Sequence, residues 1–431
     1  MLRPTELPWR RPRNELALLA LVAVAALSPV DVGGTQDQTR VCLAKALAAG
    51  RLHNDRCLSI SRDHASYKGH LYTDKAPGLS VLELPSVEAV RLGDPSTWPG
   101  ESTRLWVVRV LSVGLAFLAC AFVVGRISEG LAPGWGGAAL VAFALGTLVA
   151  PLAAVSFDHV PAAALGLGAF ALAWGRRPLL AGLAAGAAVL TEYEAASILI
   201  VVAAYVALRG ARPVARYVYG AIPGLALLWT YNWLAFGAPW HFSYRYVASE
   251  FAKDQQRGLF GITVPHLHSI GQVFLGRSGL LVIAPVVVAA AYGLLRLGRA
   301  HRAEAIVCAA IVAFFVLVNC SYFLPYGGVS PGPRFLVPAL PFLALGLGPA
   351  FARLRLVTAA LTVASVVAVT AVTLTWANDL QVGGETIWHD LGSSAFVNAL
   401  AANVVLGREA GAVLVGAAAA TAVALSLRGT R

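Results

Sequence analysis

The sequence predicts an all-α integral membrane protein with about twelve transmembrane helices and one large extracytoplasmic loop after the first helix. Three observations support this fold class: 58% of the 431 residues are hydrophobic, only 13% are charged, and the mean hydropathy is +0.70. A soluble domain carries about 25% charged residues. The chain therefore has too little polar surface to cover a water-soluble core of its size.

Apolar runs suited to crossing a bilayer recur along the chain, and Ala, Leu, Val and Gly dominate them. We expect transmembrane helices at 14–31, 105–125, 134–155, 160–174, 178–192, 194–208, 214–235, 279–297, 304–323, 334–352, 356–376 and 411–428. The stretch 178–208 is divided at 192–194, because a single long helix would place Arg209 on the extracytoplasmic side.

Arginines predict the orientation. Several precede the first predicted helix, and the later arginine clusters all follow even-numbered helices. Cytoplasmic segments are enriched in basic residues, so we expect a cytoplasmic N-terminus and a multi-pass protein of the inner or plasma membrane. The N-terminal arginines are Arg3, Arg10, Arg11 and Arg13.

The chain is predicted to form a single membrane domain, 1–431, with outer loops at 32–104, 236–278 and 377–410. The first loop is expected to contain interfacial helices, one starting at Thr35 as its cap and stopping at Gly50. Asp37 and Arg40 are three residues apart and would share a face of that helix. Cys42 and Cys57 lie in the same loop and are candidates for a disulfide.

The segment 61–78 is the most informative part of the first loop, since carboxylates, amines, imidazoles and tyrosines are concentrated there. Asp74 and Lys75 lead through Pro77 and Gly78 into the apolar stretch 79–84. We expect this order to press both charges against the helix bundle, where partial desolvation strengthens a contact between Lys75 and an anion.

These features resemble the GT-C superfamily of membrane glycosyltransferases, which includes lipid A aminoarabinose transferases and protein O-mannosyltransferases. Residues 72–78 are similar to a Tyr-Ser-Asp-Lys-Ala-Pro-Gly element of one bacterial branch, with Thr73 in place of Ser. Further elements in the same order are similar to that branch: Glu192-Tyr193, Asn232 with 236–239, Arg277 with 278–281, and Gly327-Gly328 with 332–334.

The resemblance implies a polyprenyl-phosphate-linked hexose or pentose as donor, in contact with membrane lipids. The acceptor would be a glycan, lipid or protein of the cell envelope, the sugar configuration would be inverted, and no nucleic acid would be involved. Cations are needed for the phosphate, and one base is needed for the acceptor hydroxyl. The expected phosphate-binding residues are Arg40, Lys75, Arg277 and Arg334.

The base is assigned among three acids. Asp37 occupies the position of the family's acid after the first span, although Gln38 replaces a second acid there. Asp63 is the main rival and Asp74 the third candidate. Other residues are predicted to line the site: His70, Tyr72, His159, Glu192, Tyr193 and Asn232.

No motif indicates a cofactor, and a divalent metal stays open because His266 and His268 form only a weak two-residue pair. Two other functions are alternatives. A multi-span transporter or lipid flippase would carry polar residues near the midplane and broken helices in matching halves. A non-catalytic scaffold protein would tolerate replacement of the site residues.

Overall fold

The computed structural model describes residues 13–30, 33–375 and 400–428, and its regular structure is almost entirely helical. The predicted all-α class is therefore confirmed. The helices are α1 Arg13–Leu27, α2 Thr35–Ala48, α3 Asp55–Leu58, α4 Gly78–Val90, α5 Ser102–Arg109, α6 Leu115–Leu131, α7 Gly136–Gly146, α8 Val149–Leu152, α9 His159–Trp174, α10 Pro178–Thr191, α11 Ala196–Ala207, α12 Ala211–Phe236, α13 Ala252–Gln255, α14 Leu267–Leu275, α15 Leu280–Ile283, α16 Val286–Leu297, α17 Arg302–Ser321, α18 Leu340–Ala344, α19 Leu347–Arg353, α20 Arg355–Thr375 and α21 Arg408–Arg428.

Short strands join distant parts of the chain. The strands are β1 Pro29–Val30, β2 Ala65–Tyr67, β3 His70–Tyr72 and β4 Ala402–Asn403, and they pair antiparallel as β1 with β4 and β2 with β3. The β2–β3 pair is a hairpin whose turn residues Lys68 and Gly69 both have positive φ. Most of the predicted outer loop 377–410 and the arginines before Arg13 lie outside the described residues.

Within the described residues, each predicted apolar run is mostly helical, but the count of about twelve crossings is not confirmed. By length and composition, four described helices can cross a membrane, and the number rises to six if each of two bent pairs forms one span. The long helices are Ser102–Leu131, Arg302–Ser321, Arg355–Thr375 and Arg408–Arg428. Many of the remaining apolar helices have only 10–17 residues, which is shorter than a full crossing. The predicted break at 192–194 is present, as the 3₁₀ turn Tyr193–Ala195.

Small residues bring α10 and α12 into backbone contact. Gly182 and Gly186 on α10, and Gly220 and Gly224 on α12, are spaced four residues apart on each helix and line the contact. A Cβ on Gly186 would lie 2.5 Å from the Ala221 carbonyl oxygen. Close approach of this kind lets helices associate in lipid, where there is no hydrophobic driving force between them.

The two ends of the bundle differ in chemistry. At one end, Arg126 of α6 forms an ion pair with Glu15 of α1, at 2.8 Å. The Arg209 guanidinium donates to the Tyr205 hydroxyl at 2.7 Å, and that hydroxyl donates to Glu304 of α17 at 2.6 Å. These contacts join the arginine-bearing ends of several helices.

The opposite end carries what we call the polar cap, residues 33–101 together with 237–266. The two segments are joined by a β-bridge between Ala65 and Val247 and by a hydrogen bond from the Ala248 N–H to the His64 carbonyl. The predicted disulfide between Cys42 and Cys57 is present and connects α2 to α3. The polar cap therefore holds the most informative sequence segment, 61–78, against the bundle.

Replacing Gly186 by Ala is expected to lower the thermal unfolding temperature of the protein in detergent. The added Cβ would overlap the α12 backbone, and overpacking costs about 1–3 kcal/mol. Gly168→Ala is the matched control, because that glycine of α9 has open space around it. Equal unfolding temperatures for the two variants would contradict the close packing of α10 on α12.

Candidate functional site

Asp37 anchors helix α2 to the bundle. Its Oδ1 atom accepts from Arg109 Nε at 2.7 Å and from the Ser156 N–H at 3.1 Å, and its Oδ2 accepts from the Gly34 N–H at 2.9 Å. Burial alone would raise the pKa of Asp37, but the Arg109 charge and these hydrogen bonds hold it below its usual range. Gly34, and not Thr35, is the N-cap of α2.

Arg40 forms the second anchor of the same helix. Its guanidinium is 1% exposed, pairs with Asp158 at 2.6 Å, and donates to the carbonyl and side chain of Gln36. Asp37 and Arg40 therefore each bind a partner on another element, and not one another. Most of α2 is buried, in contrast to the surface helix predicted from the sequence.

Lys75 lies between two carboxylates. Its Nζ is 2.8 Å from Asp74 Oδ2 and 3.8 Å from Asp63 Oδ2, and Asp63 also accepts from Gln36. Burial raises the pKa of Asp74, and the nearby Asp63 charge adds to the rise while Lys75 and Arg40 oppose it. Three of the residues singled out in the sequence thus form one cluster next to Arg40.

Gly78 explains why the Asp74–Lys75 segment reaches the break between α10 and α11. A Cβ at this position would lie 2.6 Å from the Leu190 carbonyl oxygen, so only glycine allows the contact. The Ser243 hydroxyl donates to the Asp74 carbonyl at 2.9 Å and contacts the Tyr193 hydroxyl at 3.2 Å. The segment is therefore held between the 192–195 turn and the second part of the polar cap.

Glu192 and His159 meet beside Asp158. His159 Nδ1 is 2.9 Å from Glu192 Oε1 and 3.7 Å from Asp158 Oδ1. The charges of Arg40 and Arg334 both act on the Glu192 carboxylate. Arg334 follows the Gly327–Gly328 turn, and its guanidinium lies 5.2 Å from the centre of the Phe157 ring.

Several buried polar atoms of this region have no hydrogen-bond partner within the described part of the chain. Apart from His159 Nδ1 and Glu192 Oε1, which face one another, they are Asp74 Oδ1, Glu192 Oε2, Glu194 Oε2 and Arg334 Nε. Buried polar atoms are normally satisfied, so a group of unsatisfied ones indicates room for a polar ligand. Donor atoms of Asp158, His159 and Glu192 lie within 4.8 Å of one another and are the residues here that could hold a cation.

Two further buried residues escaped the sequence analysis. Glu83 of α4 accepts from the Ser156 hydroxyl at 2.6 Å, so Ser156 bridges Glu83 and Asp37. Burial raises the pKa of Glu83 to about 8. The sequence did contain a signal for Glu83, because it is an acid within the otherwise apolar stretch 79–84. Arg109, at the end of α5, is fully buried and points to Asp37.

The remaining predicted residues lie at the edges of this region or away from it. Arg277 is exposed between α14 and α15, and the carbonyl of its neighbour Ser278 lies next to Gly332, close in sequence to Arg334. Asn232 is buried and donates to the Pro239 carbonyl at 3.1 Å. His70 and Tyr72 lie in the hairpin, where Tyr72 packs on Phe236 and His70 contacts Asp55.

Replacing Glu83 by Gln is expected to flatten the dependence of stability on pH. The folded protein keeps the Glu83 proton up to about pH 8, whereas the unfolded chain loses it near pH 4.5. The folded state thus binds more protons in this window, and this residue lowers the stability as the pH rises from 4.5 to about 8.

Thermal unfolding of wild type and Glu83→Gln, followed from pH 5 to pH 8, measures this contribution. The variant should lose less of its unfolding temperature over that range than the wild type. Glu88→Gln is the control, because that residue is on the same helix and exposed. Parallel curves for wild type and Glu83→Gln would contradict the assignment.

These observations define the class: a multi-pass helical membrane protein with a buried, charged site between one end of its bundle and a polar cap. No protein-family model matches the sequence, and no curated protein matches it. Solved structures do match its fold. One is ArnT from Cupriavidus metallidurans bound to undecaprenyl phosphate, with a TM-score of 0.52 and 15% identity over 96% of this chain and 76% of that one.

The second solved structure is the oligosaccharyltransferase of Archaeoglobus fulgidus in a complex with Zn and sulfate. Its TM-score is 0.51, at 12% identity over 84% of this chain. This chain spans about half, 52%, of that longer protein. Both proteins are GT-C members, so the fold expected from the sequence resemblance is confirmed as the GT-C fold.

Proposed function

We propose that this protein is a membrane glycosyltransferase that moves a sugar from a polyprenyl-phosphate donor to an acceptor on the extracytoplasmic face, with inversion at the anomeric carbon. The observation that carries the proposal is the meeting of Lys75 with Asp74 and of Arg334 with Glu192, two buried acids that each keep an oxygen without a hydrogen-bond partner in the described residues, beside an apolar bundle. A lipid-linked phosphate needs both properties, cations for its head and lipid-facing helices for its chain. ArnT, which has the same fold, was solved with undecaprenyl phosphate bound.

The phosphate is assigned to Arg334 and Lys75. Arg40 is committed to Asp158 and Gln36, and its side chain is almost fully enclosed. Arg334 keeps an unsatisfied Nε, and a Cβ on Gly327 would lie 2.7 Å from that atom. Lys75 is 13% exposed. Arg277 is proposed as a cation at the rim, from which it would meet the donor lipid on entry.

The base is assigned to the Asp63–Asp74 pair, with Asp74 preferred. Asp37 has partners on both oxygens and a lowered pKa, so it suits an anchor better than a base. Asp74 has one unsatisfied oxygen and a pKa raised by burial, and both properties favour proton uptake. Glu192, His159 and Tyr193 are proposed to line the sugar pocket.

The reaction is a single displacement. The acceptor hydroxyl oxygen forms a bond to the anomeric carbon while the bond from that carbon to the phosphate oxygen breaks. The electron pair of the broken bond leaves with the phosphate, where Arg334 and Lys75 offset the charge. The hydroxyl proton passes to Asp74, and attack opposite the leaving group inverts the anomeric centre.

The transporter alternative is less well supported. Ionisable residues cluster at one end of the bundle, between the polar cap and the helix ends, whereas a transporter site lies near the midplane. The fold comparison gives it no support. Orientation with the polar cap outside the inner or plasma membrane is part of the proposal, and follows from the arginines at the opposite end.

Replacing Arg334 by Ala is expected to weaken binding of undecaprenyl phosphate by roughly tenfold to hundredfold, because a charge-assisted hydrogen bond is worth about 1.5–3 kcal/mol. Arg334→Lys should be intermediate, since it keeps the charge and loses the guanidinium fork. Native mass spectrometry of the purified protein with increasing lipid measures the affinity.

Arg257→Ala is the control for that series, since Arg257 lies in the polar cap and is exposed, with Asp254 as its partner. If Arg334→Ala and Arg257→Ala bind the lipid as tightly as the wild type does, the assignment of Arg334 to the phosphate is wrong.

Replacing the neighbours of Asp74 is expected to move the acid limb of the pH–rate profile in opposite directions. Asp63 raises the pKa of Asp74 and Lys75 lowers it. A base acts once it is deprotonated, so Asp63→Asn should shift the acid limb to lower pH and Lys75→Met should shift it to higher pH. The assay is release of undecaprenyl phosphate from a panel of undecaprenyl-phosphate hexoses and pentoses.

Asp74→Asn should reduce that rate by roughly 10²–10⁴-fold while the protein keeps its unfolding temperature within a few degrees. Shifts of both neighbour variants in the same direction would exclude Asp74 as the base. Undiminished release by Asp74→Asn would exclude it as well.

A further inference from the structure

A second cluster of polar residues in the polar cap takes no part in the proposed reaction. It consists of His53, in the turn after α2, Asp55, the first residue of α3, and His70, the first residue of β3. Each offers one donor atom, and these atoms lie within 4.8 Å of one another. The three side chains are 30%, 46% and 48% exposed, so the cluster opens to solvent.

Its geometry fits a transition metal. Asp55 Oδ2 is 3.0 Å from His70 Nδ1 and 3.4 Å from His53 Nδ1. A tetrahedral zinc ion with bonds of about 2.0 Å holds its donor atoms roughly 3.3 Å apart. Both Nδ1 atoms therefore face the same carboxylate oxygen, Asp55 Oδ2, and the two imidazole rings lie side by side with centroids 4.0 Å apart.

An ordinary surface cluster of polar residues would not account for the position of His53. His70 has a hydrogen bond with Asp55, but His53 Nδ1 is a buried atom with no hydrogen-bond partner within the described residues. A bound cation would use that lone pair. Imidazole nitrogen with a carboxylate oxygen is a donor set suited to zinc and its first-row neighbours.

The surroundings hold the three donors in place. Asp55 Oδ1 accepts from the Leu71 N–H at 2.6 Å, which orients the carboxylate as the outer contacts of metal ligands do. The Asn54 N–H donates to the Leu71 carbonyl at 3.2 Å and ties the α3 turn to the hairpin. The disulfide from Cys42 to Cys57 fixes α3 to α2 from the other side.

Open space adjoins two of the three donor residues. A cavity of about 490 Å³ borders His53 and Asp55, and the other residues around it are Lys45, Arg51, Asn54, Arg56 and Asp94. Lys45 is paired with Asp94 at 2.5 Å, so its charge is offset. The other basic residues around the cavity, Arg51 and Arg56, would favour water, hydroxide or an anion as the fourth ligand.

We propose that His53, Asp55 and His70 form a site for a divalent first-row transition metal, zinc above all, with one coordination position open to the cavity. The bound ion connects the β2–β3 hairpin to the segment that follows α2. His70, which the sequence placed in the donor site, belongs to this metal site. The site is separate from the Asp158–His159–Glu192 group in the interior.

The test uses the full-length protein in detergent, stripped with a chelator, exposed to zinc and desalted. Elemental mass spectrometry should find one zinc per chain in the wild type, and none in the double variant His53→Ala/His70→Ala. Each single variant should weaken zinc binding by roughly tenfold or more. Cobalt should give the intense visible absorption of a tetrahedral ion in the wild type alone.

Two controls locate the ion. His268→Ala removes an exposed histidine from another outer segment, and Glu192→Gln alters the interior group; both should keep the zinc. Asp55→Asn keeps an oxygen that can accept from the Leu71 N–H. The variant therefore removes the charge of the metal ligand but keeps the hydrogen bond that holds the turn. Zinc should raise the unfolding temperature of the wild type but not of Asp55→Asn.

The proposal is overturned if the double variant keeps its zinc, if the zinc is lost from Glu192→Gln instead, or if the wild type holds none at micromolar zinc. None of these outcomes bears on glycosyl transfer, because the readouts are metal content, absorption and unfolding temperature.

Discussion

Burial of charge is the constraint on which the rest of the site depends. Arg40 and Arg109 are enclosed almost completely, and each is matched by an acid from a distant part of the chain, Asp158 and Asp37. Leaving one partner of such a pair unmatched costs about 3–5 kcal/mol. The two pairs therefore fix helix α2 against the start of α9 and the end of α5, and the polar cap is positioned by them.

The remaining geometry follows from that fixed helix. Gln36 on the same helix donates to Asp63, Asp63 lies beside Lys75, and Lys75 pairs with Asp74. Gly78 then allows the following backbone to rest on the end of α10, next to Glu192. A rigid anchor thus brings a row of ionisable groups to the break between two short helices, where several buried carboxylate oxygens have no hydrogen-bond partner among the described residues.

The sequence predicted the parts of this arrangement that depend on composition and on local order. Apolar runs gave the helices, the position of Arg209 gave the break at 192–194, and two cysteines in one loop gave the disulfide. It could not predict pairing across 72 residues, as between Asp37 and Arg109, because spacing along a chain does not report which side chains meet. Asp37 and Arg40, three residues apart on one helix, therefore have partners that their spacing does not reveal.

The predicted number of crossings is not confirmed, for a related reason. Hydropathy identifies an apolar helix but not whether it spans, bends or stops within the bundle, and two of the expected spans are bent by 88° and 54°. Arg277 and Arg334 lie on the N-terminal side of these two bends, in the segments that precede Leu280 and Phe335.

The central claim is that a lipid phosphate occupies the space between Arg334 and Lys75. An experimental structure of the protein in nanodiscs that contain undecaprenyl phosphate tests it most directly. The account predicts phosphate density within hydrogen-bond distance of both side chains, with the isoprenoid chain leaving between helices. Density for the phosphate elsewhere on the protein, with Arg334 and Lys75 bound only to protein groups, would contradict it.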